Sequence, residues 1–192
     1  MPTAIELATK LHEKFKDVIS APTEFRGEAN LVLKDASHLV EVMRYAKEAL
    51  GFDSLSDITS IDHLGSEPRF ELVYHLYSFA SHQPLRIKTF TGEEKSEVAS
   101  LVSLWAGADW HEREIFDMMG LRFKGHPDLR RILMWDSYPH HPLRKEFPLS
   151  GLPVDEVVKQ APMAGGPFVT SPGEKTTVDR EPRGKGETFS KV

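Results

Sequence analysis

The sequence predicts an α+β fold in which a mostly antiparallel sheet is covered by helices and followed by an irregular C-terminal extension. Apolar residues recur at helical spacing near the N-terminus and again between residues 39 and 50. Between residues 55 and 90, three segments rich in β-branched and aromatic residues are joined by short turns, which is typical of antiparallel neighbours. Beyond Gly151 the composition changes to Pro, Gly, Lys, Glu and Thr, and neither a helical nor a strand period continues.

The first elements are predicted in the order helix, strand, helix. Thr3 is followed three residues later by a glutamate, a capping-box pattern, and the helix that begins there is predicted to end near Ser20. The stretch NLVLK predicts a strand, and Asp35 or Ser37 is placed to cap a second helix that ends at Gly51. The apolar stripes of the two helices are Ala4, Leu7, Leu11, Phe15 and Val18, and Leu39, Met43, Ala46 and Leu50.

A meander of three strands is predicted next. The stretches LSDITSIDHL and RFELVYHLYSF are joined by the turn-like GSEP, and PLRIKTF supplies the third strand. The stretch EEKSEVASLVSLW then predicts a helix that covers the sheet, because Val98, Leu101, Val102 and Trp105 fall on one helical face.

The composition excludes several classes of function. The 192 residues include 40% hydrophobic and 28% charged residues, as in soluble globular proteins, and no apolar run approaches the roughly 18 residues of a membrane span. The chain has no cysteine, so it cannot hold an iron–sulfur cluster through thiolates. A net charge of −5 argues against nucleic-acid binding. The N-terminus lacks the pattern of a signal peptide, which predicts a cytoplasmic protein.

The stretch ADWHEREIFDMMG predicts a short helix with a charged arc. Asp109 is the expected N-cap and Gly120 the expected C-terminal stop. Arg113, Glu114 and Asp117 fall on one arc of the helix. The opposite arc is apolar and is formed by Ile115, Phe116 and Met119. The charged arc is open to three interpretations, namely a solvated face, an ion-pair network that faces a partner, or an acid/base site.

Metal-binding and nucleophile motifs are incomplete. His111 and the glutamate after it resemble the start of a zincin motif, but Ile115 stands where the second helical histidine is needed. His140 and His141 are adjacent, so their side chains point to opposite faces of an extended chain. His126 and His141 each precede a proline, which favours an extended backbone and a role as turn anchors. Neither a phosphate loop nor a Gly-x-Ser-x-Gly motif is present.

The segment HPDLRRILMWDSYPHHPLRKEFPLSG is locally basic and rich in proline. From Gly120 to Glu146 there are six Lys/Arg and three Asp/Glu. Arginines grip carboxylates with two parallel hydrogen bonds, and prolines lower the entropy lost when an irregular segment is fixed on a partner. The composition therefore predicts a docking segment, with interface-type residues Arg130, Arg131, Met134, Trp135, Tyr138, Arg144 and Phe147.

These residues resemble a known family, the 30-kilodalton (C-type) subunit of respiratory NADH:quinone oxidoreductase, or complex I. The matching motifs are Glu112-Arg113-Glu114, Asp117, Gly120, Phe123, HPDLRRIL from His126 to Leu133, and HPLRKEFPLSG from His141 to Gly151. The resemblance extends over roughly residues 1–151. His140 replaces a glycine of the family pattern, and Glu146 replaces an aspartate.

The resemblance implies a peripheral-arm subunit without a redox cofactor of its own. It would hold two complex I partners in register, namely the D-type subunit of the quinone site and the B-type subunit, which carries the last iron–sulfur cluster. FMN, iron–sulfur clusters and quinone are expected in partner subunits. The protein would lie on the cytoplasmic side of a bacterial inner membrane and touch the membrane only through the complex. The residues expected to dock partners are Glu112, Arg113, Glu114, Asp117, His126, Arg130, Arg131, Trp135, His141, Arg144, Lys145 and Phe147.

Three parts are expected along the chain, namely an α+β domain over residues 1–108, the signature helix and docking segment over residues 109–151, and an extended arm over residues 152–192. Two rival functions remain. Related subunits occur in complexes that use the deazaflavin F420H2 or ferredoxin as electron donor. A free-standing acid/base enzyme would instead use Glu114, Asp117 and a histidine.

Overall fold

The computed structural model describes residues 1–93 and 96–152 of the chain. Within the described part of the chain, residues up to 136 and from 140 to 151 form one compact unit. The predicted arm over residues 152–192 lies outside the described residues, apart from Leu152. The boundary between residues 108 and 109 stays a prediction.

The first helix, α1 (Ala4–Lys14), begins at the predicted capping box. The hydroxyl of Thr3 accepts the N–H of Glu6, whose carboxylate accepts the N–H of Thr3 in return. The prediction that the helix ends near Ser20 is wrong. The chain leaves the helix at Phe15 and turns, because Ile19 pairs with Leu33 and extends the sheet instead.

A mixed five-stranded sheet forms the centre of the fold, in agreement with the predicted α+β class. Its strands are β1 (Thr23–Phe25), β2 (Glu28–Leu33), β3 (Ser54–Asp62), β4 (Phe70–Ser78) and β5 (Gln83–Thr91). They are arranged in the order β1-β2-β5-β4-β3, with only the β2/β5 pair parallel. The predicted meander is thus confirmed, whereas the sequence patterns do not predict β1.

The sheet is amphipathic, so that helices cover its apolar face. Alternate residues of β2 and β5, such as Leu31 and Ile87, are fully buried against α1 and α2 (Leu39–Glu48). The opposite face carries ion pairs, including Lys88 with Glu71 at 2.7 Å. Asp35 caps the single 3₁₀ turn (Ala36–His38) that precedes α2, whereas the N-cap of α2 itself is His38, without a side-chain hydrogen bond, so neither Asp35 nor Ser37 caps the second helix directly.

The stretch from residue 97 to 105 is not the predicted helix. Residues Glu97–Ala99 form β6, which pairs in parallel with β7 (Arg122–Lys124), and the chain then turns at Leu101. Val98, Leu101 and Trp105 still enter the core. Buried apolar residues spaced by three and four therefore resemble a helical stripe although the backbone is a strand and a turn.

The helix α3 (Ala108–Met119) packs between this small sheet and β3, with Ile115 and Met119 in the common core. Its predicted C-terminal stop is confirmed, because Gly120 has φ +78°. The N-cap is Gly107 and not Asp109, which lies in the first turn. No helix in residues 1–93 and 96–152 is long and apolar enough to cross a membrane.

Candidate functional site: a clamp on the third helix

The charged arc of α3 is divided between the interior and the surface. Arg113 and Asp117 are buried with exposed fractions of 8% and 0%, and Glu112 is also buried at 0%. Glu114 is exposed. The helix therefore turns Arg113 and Asp117 toward the following segment of the chain and leaves Glu114 at the surface.

Asp117 holds the backbone of the segment that follows β7. Its Oδ2 accepts the N–H groups of Ile132 at 3.0 Å, Leu133 at 2.7 Å and Met134 at 2.8 Å. Its Oδ1 accepts Nη1 of Arg131 at 2.5 Å. Burial alone would raise the pKa of Asp117, but these hydrogen bonds outweigh it and hold the pKa below its ordinary value.

Arg113 lies one turn before Asp117 and supports the preceding residues of the same segment. Its Nε donates to the carbonyl of Arg130 at 3.2 Å, and its Nη2 to that of Arg131 at 3.4 Å. The guanidinium also lies over an aromatic ring, with Cζ 5.3 Å from the ring centroid of Trp110. One cation and one anion of α3 thus satisfy carbonyls and N–H groups of an irregular segment.

The C-terminal end of α3 receives donors from the same segment. The carbonyl of Asp117 accepts Nη1 of Arg131 at 3.1 Å and Nδ1 of His141 at 3.0 Å. The carbonyl of Met119 accepts Nε of Arg144 at 2.7 Å. These carbonyls have no partner within the helix, and cations are favoured at a helix C-terminus. Residues 130–134 and 140–144 with α3 are called the clamp below.

His141 is held in the clamp as a neutral donor. Burial lowers its pKa, and the charges of Arg144 and Arg131 lower it further, although the carbonyl of Asp117 acts in the opposite direction. The residue before it, His140, has no positive φ, since Arg26 and His82 are the only non-glycine residues with positive φ in the described chain. A histidine therefore fits at position 140 without backbone strain.

A second anchor ties the end of the segment to the turn between β3 and β4. Buried Arg69 grips both carboxylate oxygens of Asp62 at 2.8 and 2.9 Å and also binds Glu93 and Glu146. The N–H of Lys145 donates to Asp62 at 2.8 Å. Hydrogen bonds from Arg69 and then from Lys145 lower the pKa of Asp62 against the effect of burial.

Sequence reasoning missed Asp62 and Arg69. Asp62 follows Ile58 at strand spacing on the inward face of β3, where an aspartate requires a charged partner. An aspartate at an inward-facing strand position was therefore the sequence signal that could have indicated a buried ion pair at Asp62. Glu146, in the segment after β7, supplies one of the carboxylates that Arg69 binds.

His126 fixes the beginning of the segment. Its side chain has an exposed fraction of 0%, and its Nδ1 accepts the N–H of Asp128 at 3.0 Å. Its Nε2 is therefore the protonated nitrogen and faces the carboxylate of Asp109 at 3.2 Å.

Glu112 is a buried residue of α3 that makes no hydrogen bond to residues 130–134 or 140–144. Its Oε1 accepts the N–H of Leu101 at 2.7 Å, while its Oε2 has no hydrogen-bond partner among the described residues. Burial raises its pKa to about 7, and the N–H of Leu101 limits the rise. The hydroxyl of Tyr74 is also buried and has no hydrogen-bond partner in the part of the chain that the structure describes.

The remaining predicted docking residues lie nearer the surface. Arg130 is exposed and pairs with exposed Asp128 at 2.8 Å, and Lys145 is exposed as well. Trp135 and Phe147 are half-buried, with the Phe147 ring 6.1 Å from that of His140. The structure therefore brings the twelve predicted residues onto α3 and the segment after it, while several of them bind one another.

The arrangement offers little to an acid/base mechanism. Both oxygens of Asp117 are engaged and its side chain is fully buried, so a substrate has no access to it. No group of three or more His, Asp or Glu residues in the described part of the chain could hold a metal ion. The fold and site define a structural α+β module that fixes an irregular, basic surface segment on a charged helix.

Comparison with known proteins identifies the family of this module. Residues 32–153 match the family model described as respiratory-chain NADH dehydrogenase, 30 Kd subunit. The C-type subunit of NADH-quinone oxidoreductase from Geotalea uraniireducens (strain Rf4) is 43% identical over 142 residues, which cover 74% of this chain and 86% of the relative. The chain therefore belongs to the 30-kilodalton subunit family of respiratory NADH dehydrogenase.

Solved structures share the fold. A trypsin-resistant fragment of Nqo5 has a TM-score of 0.54 and 28% identity, covering 62% of this chain and 99% of the fragment. A chain of the membrane-bound sulfane sulfur reductase, an archaeal respiratory membrane complex, has a TM-score of 0.65 over 81% of this chain and 89% of its own length. The latter is 23% identical, so it demonstrates likeness of fold alone.

Proposed function

We propose that this chain is a peripheral-arm subunit of a proton-translocating NADH:quinone oxidoreductase and carries no redox cofactor. In this role it holds two neighbours in register, the quinone-site (D-type) subunit and the B-type subunit with its terminal iron–sulfur cluster. FMN, the iron–sulfur clusters and quinone are bound by partner subunits. Family membership and the absence of cysteine from the sequence support this assignment.

The clamp is the observation that carries the proposal. An irregular segment loses conformational entropy when it docks, and this loss weakens binding. Here Asp117 and Arg113 already hold the segment on α3 by backbone hydrogen bonds. A segment fixed in this way presents a preformed surface, which suits a subunit whose role is to position its neighbours.

The outward side chains of the segment have the character of an interface. Leu133 and Leu143 have exposed fractions of 60% and 57%, and they lie close in sequence to exposed Arg130 and Lys145. Apolar residues with flanking cations match a partner surface that combines an apolar patch with carboxylates. The buried clamp residues act through the shape of the segment, and the exposed residues make the contact.

The proposed location is the cytoplasmic side of a bacterial inner membrane, reached only through the complex. A second candidate keeps this position but changes the electron donor to the deazaflavin F420H2 or ferredoxin. The same fold occurs in a chain of an archaeal respiratory complex named for a different reaction, which supports keeping this candidate. The subunits that co-purify with the chain distinguish the two, because the donor is bound elsewhere in the complex.

The test is affinity purification of the tagged chain from native membranes in mild detergent. We expect the D-type and B-type subunits to co-purify with NADH:quinone oxidoreductase activity. Co-purification with an F420H2- or ferredoxin-oxidising module would select the second candidate. Recovery of the chain without any oxidoreductase subunit would overturn both.

A matched pair of variants tests the exposed surface in the same experiment. Lys145→Glu reverses a charge beside the apolar patch, and Lys10→Glu makes the same change at an exposed position of α1. We expect several-fold lower recovery of partner subunits with Lys145→Glu and normal recovery with Lys10→Glu. Equal recovery of partners by both variants would remove Lys145 from the interface.

A further inference from the structure

A cleft with a volume of about 230 Å³ lies between β3 and α3. Nearly buried apolar side chains lie at its base, among them Ile58, Ile115 and Met118, whereas most of its accessible lining is polar. Its rim combines two carboxylates, Asp57 and Glu114, with the exposed side chain of Leu143.

The size and polarity of the cleft indicate what it can receive. Small-molecule sites usually enclose about 300–1,000 Å³, so this cleft is better matched to one long side chain. Lysine and arginine bury an aliphatic stem on apolar surface while the charged head stays at the rim. Apolar side chains at the base of the cleft and carboxylates at its rim would complement a lysine or arginine side chain placed in this way.

One of the two carboxylates is available for such a head group. Asp57 faces Nδ1 of His111 at 3.3 Å. Glu114 makes no hydrogen bond or ion pair within residues 1–93 and 96–152, although it is the exposed member of the charged arc of α3. A carboxylate at the mouth of a cleft, without a partner in the described chain, matches an incoming cation.

The cleft is continuous with the proposed docking surface. Leu143 lines it and also lines a second, wider groove formed with Pro142, Phe147 and Leu149. Leu143 and Leu149 are strongly exposed, so the apolar surface continues from the cleft along the segment. A partner that covers the segment therefore passes over the cleft.

We infer that the cleft between β3 and α3 receives a lysine or arginine side chain of a neighbouring subunit, whose cationic head pairs with Glu114. This inference rests on the proposed function, because it requires a partner on the segment. Basic anchors inserted in pockets are a common source of binding energy in interfaces. The inference places a positive charge of the partner next to Glu114, whereas the partner surface that faces Lys145 is expected to be negatively charged.

The test compares Glu114→Lys with Glu13→Lys in membranes that contain the complete complex. Both positions are exposed glutamates on helices, and Glu13 lies on α1, away from the cleft. Isolated membranes are washed with increasing KCl, and the released chain is quantified. We expect Glu114→Lys to be released at clearly lower salt, with at least a tenfold loss of retained chain where the wild type is still bound. Glu13→Lys should follow the wild type.

The outcomes separate this inference from the proposed function. A wild-type chain that never associates with the complex overturns the proposed function itself. If the wild type associates and Glu114→Lys is retained equally well, the inference fails while the proposed function stands. Equal loss of both lysine variants would also overturn it, since the effect would then be one of general charge.

Two further measurements complete the test. Glu114→Gln removes the charge without reversing it, and we expect release at intermediate salt; if Glu114→Lys does not fold, this variant decides. The purified full-length wild type is also examined for self-association. A wild type that dimerises through this surface, while Glu114→Lys stays monomeric, would assign the cleft to a second copy of the chain and overturn the inference.

Discussion

The sheet and the clamp are held together by different forces. The sheet packs apolar residues such as Leu31, Leu72 and Ile87 against α1 and α2, and these side chains are fully buried. In the clamp, residues 130–134 are instead held on α3 by hydrogen bonds to Asp117 and Arg113. One region is stabilised by burial of apolar area, and the other by satisfying buried charges and helix-end carbonyls.

This difference determines how each region responds to substitution. Removal of apolar volume has a graded cost, because neighbouring side chains relax partly into the space. Removal of one partner from a buried network leaves charges and N–H groups unsatisfied, which costs more. A segment held by a buried network of this kind keeps one conformation until the network is broken, which is consistent with the proposed role of positioning other subunits.

Asp117→Ala should have the largest effect. It removes the acceptor of three N–H groups and leaves Arg131, whose side chain is 12% exposed, without its carboxylate. We expect a loss of about 3–5 kcal/mol in the free energy of unfolding, measured by urea denaturation of the purified chain. The amides of Ile132, Leu133 and Met134 should also exchange hydrogen much faster than those of the sheet.

The matched control is Asp128→Ala. Asp128 is also paired with an arginine, but both side chains are exposed by 60% or more, so the change should cost less than about 1 kcal/mol. Equal stability of the two alanine variants would mean that the clamp does not stabilise the chain.

Leu72→Ala tests the sheet in the same assay. Leu72 is fully buried, and we expect a loss of about 2–5 kcal/mol. Here hydrogen exchange should change in the sheet and not selectively at residues 132–134. Leu64→Ala, at a leucine exposed by 53%, should stay within about 0.5 kcal/mol of the wild type. Selective loss of protection in the clamp of Leu72→Ala would contradict the separation of the two regions.

The same difference explains what can be predicted from the sequence. Strands β3, β4 and β5 are predictable because alternating apolar residues and short turns are local signals. The anchor between Arg69 and Glu146 joins residues 77 positions apart, and no periodic pattern contains that information. Composition singles out the segment after β7, but its internal hydrogen bonds cannot be derived from composition.

The errors at element ends have physical causes too. Asp109 has the residue type of an N-cap, yet the helix begins at Ala108 without a side-chain cap. The carboxylate of Asp109 instead faces His126, which is distant in sequence. Tertiary contacts of this kind override local propensity where polar groups are buried.

Glu112→Gln tests whether the buried carboxyl group of Glu112 makes the stability of the chain depend on pH. The folded-state pKa of Glu112 is about 7 against an ordinary value of 4.5, so the folded chain holds this proton more tightly. The stability it contributes is fully present below pH 4.5 and is lost as pH rises through about 7, a change of about 3 kcal/mol. Glutamine still accepts the N–H of Leu101 but does not titrate, so this component of the pH dependence should disappear.

The measurement is urea denaturation at a series of pH values from roughly 4 to 8, the interval over which the linkage relation places the change. Glu114→Gln is the control, because Glu114 lies two residues away on the same helix and is exposed. If the Glu112→Gln and wild-type stability curves stay parallel over this interval, Glu112 is not the titrating group.

The smallest expected effect is the difference between two glycine substitutions, Gly120→Ala and Gly65→Ala. Both glycines have positive φ, +78° and +86°, so alanine costs about 1–2 kcal/mol at either position. A Cβ at Gly65 meets no atom within 4 Å, whereas one at Gly120 would lie 2.6 Å from Nε2 of His141 and 2.9 Å from Nη2 of Arg144. Both side chains would have to move, which breaks their hydrogen bonds to the end of α3.

Gly120→Ala should therefore be less stable than Gly65→Ala by a further 1–2 kcal/mol, roughly the value of one or two hydrogen bonds. Equal stabilities would show that the clamp yields to a methyl group at no cost, and the rigid surface inferred from it would have to be abandoned.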